Sequence, residues 1–207
     1  LNLWSFSLKG GFIMIPIVLL SLVTIYIFVE RLLVLRDAAR QDNTFMQRIK
    51  DYIHAGDVES ALNLCKKNPT PVARLIEKGI TRLGRPMNDV LVAIENVGNI
   101  EVAKLERRFT WIATTAGGAP MLGFLGTVTG MVSAFYSMAA AGEAADITTL
   151  SSGIYEALVT TVAGLVVGII ALFAYNYLVS RVNTVVNQLE ASTMEFMDLL
   201  NEPANKK

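Results

Sequence analysis

The sequence is short of the residues from which catalytic and metal sites are built. One cysteine in 207 residues, Cys65, excludes an intrachain disulfide, and its neighbours Lys66, Lys67 and Asn68 fit a structural thiol on a reducing, cytoplasmic side. One histidine, His54, has no second imidazole with which to share a metal, so neither metal nor cofactor is expected and the chain does not read as an enzyme. Charge is scarce, at 17% of residues, and balanced, with 18 Lys and Arg against 18 Asp and Glu. Phosphate binding needs an excess of Lys and Arg on one face, so this balance argues against nucleic acid as a partner. What remains is 53% hydrophobic, with a mean hydropathy of +0.46, the composition of an integral membrane protein in contact with lipid.

Three apolar runs carry that excess. The first, residues 12–29, follows Lys9-Gly10-Gly11 and closes at Glu30-Arg31. It is longer than the roughly 7–15 apolar residues of a signal peptide and lacks a small-residue cleavage site, so it reads as an uncleaved anchor. Pro16 lies near its N-terminal end, where a missing backbone donor matters least, and Tyr26 near an interface. The second uncharged run extends from Phe109 to Gly142. The third follows Glu156, with 24 uncharged residues before Arg181, enough to cross about 30 Å of hydrocarbon at about 1.5 Å per residue.

Between Arg31 and Arg108 the composition turns polar, with 14 Lys or Arg and 10 Asp or Glu, and with breaks at Gly56-Asp57, Asn68 to Pro71 and Gly84 to Pro86. Apolar residues recur there at helical spacing: Phe45, Ile49 and Ile53; then Val58, Ala61, Leu62 and Cys65; then Val72, Leu75, Ile76, Gly79 and Leu83. Asp57 is expected as an N-cap and Pro86 as a first-turn residue. No strong stop follows Pro86, so 88–108 is expected to flow into the second run as one helix of some 50 residues, with Gly117, Gly118 and Pro120 as possible kink points. Past Arg181 the stripe Val182, Val185, Val186, Leu189, Phe196 and Leu200 predicts that the third helix continues and packs on the projecting part of the second.

Arg31, Arg36 and Arg40 follow the first span, and Lys104, Arg107 and Arg108 precede the second, whereas the loop around Glu143 and Asp146 has no basic residue. By the positive-inside rule the large loop is cytoplasmic and the short loop lies outside. The expected layout is a periplasmic N-terminus at 1–11, spans at 12–30, 109–140 and 150–180, a cytoplasmic helical region at 31–108, a periplasmic loop at 141–149 and a cytoplasmic C-terminal helix at 181–207. The fold class is an all-α membrane protein with three transmembrane helices and long cytoplasmic helical extensions, assembling around a central lumen.

Glu156 is the residue on which function turns. A helix beginning near Asp146 places it roughly 15 Å in, near mid-membrane; one beginning at Ile154 leaves it at the boundary. An acid in lipid is costly and marks a proton path or a buried hydrogen bond, and desolvation favours the neutral form of such an acid. At 100° per residue Glu156, Thr160, Ala163 and Val167 share a face, with Gly164 beside it and Thr161 about 140° away. The second span offers Pro120, Gly123, Thr127, Gly130, Met131, Ala134 and Met138 on one face. Gly126 with Gly130 and Gly164 with Gly168 add close-packing pairs.

These stretches resemble a known family. Ala119-Pro-Met-Leu-Gly-Phe-Leu-Gly-Thr-Val-Thr-Gly-Met131 with Phe135, and Gly153-Ile-Tyr-Glu-Ala-Leu-Val-Thr-Thr-Val-Ala-Gly-Leu-Val-Val-Gly168 with Tyr175-Asn176, are similar to the ExbB, TolQ and MotA proton-channel subunits. The likeness is greatest to the three-span ExbB/TolQ branch. It implies a pentamer in a bacterial inner membrane, its lumen holding ExbD- or TolR-like single-span subunits, working with a TonB-like protein to power outer-membrane transport from the proton motive force. It also implies that Glu156 is the intramembrane acid and that Thr127 and Thr161 line the proton path, where the helical wheel had favoured Thr160. A TolQ-like envelope role, a gliding or secretion motor and a non-conducting scaffold are the alternatives. A solute transporter is disfavoured because the chain has no repeated halves.

Overall fold

The computed structural model describes residues 11–40, 44–142 and 147–201. Among them are seven helices and no strand: α1 (Met14–Ala38), α2 (Phe45–His54), α3 (Val58–Lys67), α4 (Pro71–Ile80), α5 (Met87–Leu105), α6 (Phe109–Ala141) and α7 (Ile147–Asn201). Three of these helices are long and apolar enough to cross a membrane: α1, α6 and the Leu150–Asn201 part of α7. The chain is an all-α membrane protein. It divides into two compact units, one from Arg108–Tyr177 with the described part of Leu1–Glu30, the other from Arg31–Arg107 with the chain from Leu178 onward.

In the first unit α6 and α7 are antiparallel and zipped by small residues. Gly130 faces Ala157, Gly126 faces Thr160, Gly123 faces Thr161 and Gly164, and Pro120 faces Gly168, so that one number falls as the other rises. A Cβ on Gly123 would lie 3.1 Å from the Thr160 carbonyl oxygen, and one on Gly164 would strike the Ala119 carbonyl oxygen. Backbones this close leave no room for a side chain, and the gain is van der Waals packing rather than the hydrophobic effect. The α1 helix buries a stripe of Met14, Ile17, Thr24 and Ile27. Its direction matches that of α7: Glu156 lies against Gly11, just before α1, while Phe28 packs on Tyr177 with ring centroids 6.3 Å apart. Large apolar side chains point outward, Phe124 being 66% and Phe173 72% exposed, a polarity suited to lipid.

The second unit places α2–α5 beside the C-terminal part of α7. The Asp57 carboxylate caps α3 by accepting from Ser60 N at 3.0 Å, and the Thr70 hydroxyl caps α4 by accepting from Ala73 N at 3.3 Å, ahead of Pro71. The core holds Phe45, Ile49, Ala61, Cys65, Leu75, Ile76, Val90, Ile94, Val182, Val185, Leu189 and Phe196. Burial, aided by the charge of Glu77, pushes the Cys65 thiol up to about 12, which keeps it protonated and inert at neutral pH. Gly79 admits the Phe196 ring: a Cβ there would lie 2.5 Å from Phe196 Cε1 and 2.8 Å from Ile94 Cδ1.

Several expectations change. The 50-residue helix is broken, because α5 ends at Leu105 and α6 starts at Phe109. Between them Arg108 adopts a left-handed conformation at φ 72° and its Nη1 donates to Glu30 Oε2 at 2.5 Å. That ion pair offsets a backbone conformation that is costly for a residue with a side chain. Within α6 the helix runs unbroken through Gly117, Gly118 and Pro120. Pro86 is the N-cap of α5, one position earlier than expected. Val58 is 38% exposed, and Leu83 lies in the turn after α4 rather than within it. At the end of α7 it is Leu199 that is buried, with Leu200 half-buried. Asp146, Glu143 and the residues before Gly11 lie outside the described residues.

Candidate functional site

The α7 helix begins at Ile147, so Glu156 is a residue of its third turn rather than of its end. Counting along the helix from Glu156 to Tyr177, beside Phe28, gives about 32 Å at about 1.5 Å per residue. Glu30 and Arg108 form their ion pair two residues beyond Phe28 along α1. Glu156 and this charged layer are therefore separated by roughly the thickness of a hydrocarbon layer, and the acid lies toward the opposite end of the unit, level with the start of α1.

Two hydroxyl groups meet in the α6–α7 seam. The hydroxyls of Thr127 and Thr161 are in direct contact. Thr161 also donates to the Gly123 carbonyl at 3.0 Å, and Thr127 reaches the Ala157 carbonyl at 3.2 Å. The close approach allowed by Gly123 puts these carbonyls within reach. The result is a small polar cluster between two charge-free helices, where hydroxyls can exchange hydrogen-bond partners without entering lipid.

Thr160 lies on the other side of α7. It is 2% exposed, donates to the Glu156 carbonyl at 3.0 Å and rests its methyl group against Gly126. Together with Glu156, Thr129 and the Gly11 turn it borders a cleft of about 310 Å³. The structure thus joins Thr161 to Thr127, while Thr160 bonds the backbone carbonyl of Glu156 and borders the same cleft as its side chain. Of the expected packing residues, Gly123, Gly126 and Gly164 are buried, Gly130 and Pro120 are half-buried, and Gly168 is buried against Pro120. Met131, placed on the same face by its spacing, is 39% exposed. Thr129 and Gly11 were not singled out by the sequence. The Gly10-Gly11 pair was the available signal for the second, and Thr129 had none.

In the second unit Glu101 is 3% exposed and holds two cations, Arg74 Nη2 at 2.6 Å and Lys104 Nζ at 2.6 Å. Burial raises its carboxyl, but the hydrogen bonds and charges of Arg74 and Lys104 outweigh that and leave it below the ordinary glutamate value. Arg74 also donates to the Pro69 carbonyl at 2.8 Å, and Arg31, 7% exposed, donates to the Lys104 carbonyl at 3.1 Å near the end of α5. These groups tie the α3–α4 turn and the start of this unit's chain to α5, a structural role. Among the described residues no cluster of His, Cys, Asp or Glu is arranged to hold a metal.

The model of the MotA/TolQ/ExbB proton channel family matches residues 67–191. A putative biopolymer transport protein ExbB homolog of Methanothermobacter thermautotrophicus is 30% identical over 176 residues, 83% of this chain and 62% of that protein. The putative biopolymer transport protein ExbB-like 1 of Synechocystis is 33% identical over 183 residues, covering 84% and 69%. The Tol-Pal system protein TolQ of Pseudomonas aeruginosa is 27% identical over 220 residues, covering 97% and 93%. The chain thus spans under two thirds of the archaeal relative's length and slightly more of the cyanobacterial one's.

Proposed function

Because this chain belongs to the MotA/TolQ/ExbB proton channel family, we propose that it is a proton-conducting stator subunit of an inner-membrane motor, of the type that works with an ExbD- or TolR-like single-span subunit. The observation that carries the proposal is the site itself: an acid on a membrane helix, with a hydroxyl pair five residues further along that helix. Glu156 would take and release protons near the outer end of the span. Thr127 and Thr161 would pass polarity inward along the seam, and the carrier on the partner helix would complete the path.

The surrounding architecture suits an oligomer, and we assign a pentamer enclosing the partner helices. The small-residue seam of α6 and α7 holds one chain together, while the apolar outer faces remain for lipid and for neighbouring copies. We place the N-terminus and the 141–149 loop on the periplasmic side, and the 31–108 region and the C-terminal helix in the cytoplasm, on the distribution of basic residues. One proton crossing 100 mV releases about 2.3 kcal/mol, enough for a small step between two packed states. Work on an outer-membrane process through a TonB-like protein then needs successive protons.

Co-expression with an ExbD- or TolR-like single-span protein, followed by reconstitution into vesicles, tests the reading. Proton flux that requires both proteins is expected. A complex that assembles and carries no flux under an imposed gradient would instead make this chain a scaffold.

A further inference from the structure

The turn before α1 contains a feature that neither the seam nor the hydroxyl pair explains. Gly11 has φ +64°, and a Cβ built on it would lie 2.5 Å from Glu156 Oε1 and 3.6 Å from Glu156 Cδ. Two independent requirements therefore fall on one residue: a left-handed backbone conformation that L side chains rarely adopt, and bare space into which the carboxyl group fits. The turn is itself fixed, since Met14 N donates to the Gly11 carbonyl at 3.2 Å and Ile15 N to the Phe12 carbonyl at 3.2 Å. Gly11 and Glu156 together line the cleft of about 310 Å³ that Thr129 and Thr160 also border.

We propose that Gly11 is a positioning residue for Glu156: its bare backbone forms the wall that holds the carboxyl group at the mouth of this cleft, where protons reach it. The inference rests on the proton-relay reading for its functional meaning, but the contact itself can be read without proton flux. A side chain at position 11 forces the carboxyl group, the end of an exposed and flexible side chain, to shift from its place beside this turn. A shorter acid at position 156 tolerates that side chain.

The test uses the full chain with its partner, in membranes, and compares Gly11→Ala, Glu156→Asp, the double variant and Gly142→Ala. The last is the control for backbone strain, because Gly142 also has positive φ, at +54°, with nothing within 4 Å of an added Cβ. The first readout is the rate at which an apolar carbodiimide modifies residue 156, followed by mass spectrometry; the second is proton flux. Gly11→Ala is expected to raise the modification rate and lower the flux, each by about tenfold, the factor equivalent to about 1.4 kcal/mol. Gly142→Ala should leave both unchanged, and the double variant should recover flux relative to Gly11→Ala. Wild-type modification and flux in Gly11→Ala overturn the positioning role, as does an equal loss in Gly142→Ala. If Glu156→Gln retains full flux, the relay reading fails, while the modification rates still decide the contact.

Discussion

Three threonines on the membrane helices of the first unit look alike by composition and differ in what their hydroxyls meet. Thr24, 4% exposed, has a buried hydroxyl with no hydrogen-bond partner, whereas Thr127 and Thr161 bond each other and the carbonyls around them. Replacing a buried unsatisfied hydroxyl by a methyl group removes a desolvation penalty. Thr24→Val should therefore leave thermal stability in detergent unchanged or raised by about 1 kcal/mol, while Thr127→Val and Thr161→Val should each lower it by about 1 kcal/mol and reduce proton flux. Glu101 gives a pH prediction of the opposite kind. Its folded-state carboxyl is held below the ordinary value by Arg74 and Lys104, so its contribution is complete above about pH 4.3 and is lost as pH falls through the lower folded value. Glu101→Gln should flatten that acid limb of a pH–stability profile. At neutral pH the variant should cost about 1–2 kcal/mol, less than for a fully buried pair, because the Arg74 and Lys104 side chains are 42% and 62% exposed.

At the scale of the elements, the α6–α7 pair depends on where glycines fall rather than on how many there are. Gly123 and Gly164 face backbone atoms of the opposite helix, but an added Cβ on Gly117 or Gly118 meets nothing within 4 Å. Gly123→Val or Gly164→Val should force the helices apart and lower thermal stability by about 1–3 kcal/mol. Gly117→Ala should raise it by about 0.5–1 kcal/mol, the helix propensity gained. The small-residue spacing was legible in the sequence because the period of 3.6 puts these residues on one face. The break between α5 and α6 was not. Lys104 to Phe109 contains neither Gly nor Pro, and the left-handed Arg108 is held by Glu30, 78 positions earlier. Arg31 was read only as a topological charge for the same reason, since the carbonyl it caps belongs to Lys104, 73 positions away.

For the molecule as a whole, hydropathy and length were enough for the all-α membrane class and its three apolar helices, because a bilayer requires continuous uncharged helix. The site was legible in part. Spacing put Glu156 and Thr160 on one face, and the resemblance named Thr127 and Thr161. Joining these into one arrangement required the register of α6 on α7, which no single helix encodes. Gly11 escaped notice because its importance comes from a carboxyl group 145 positions further along the chain. The central proposal is that Glu156 carries protons and does more than fill space. The direct measurement is gradient-dependent function in cells carrying Glu156→Gln, with membrane insertion and partner assembly assayed in parallel. The account predicts a complex that assembles normally and loses its proton-driven work. Normal assembly with normal work would contradict it, leaving Glu156 a packing residue and the relay wholly on the partner.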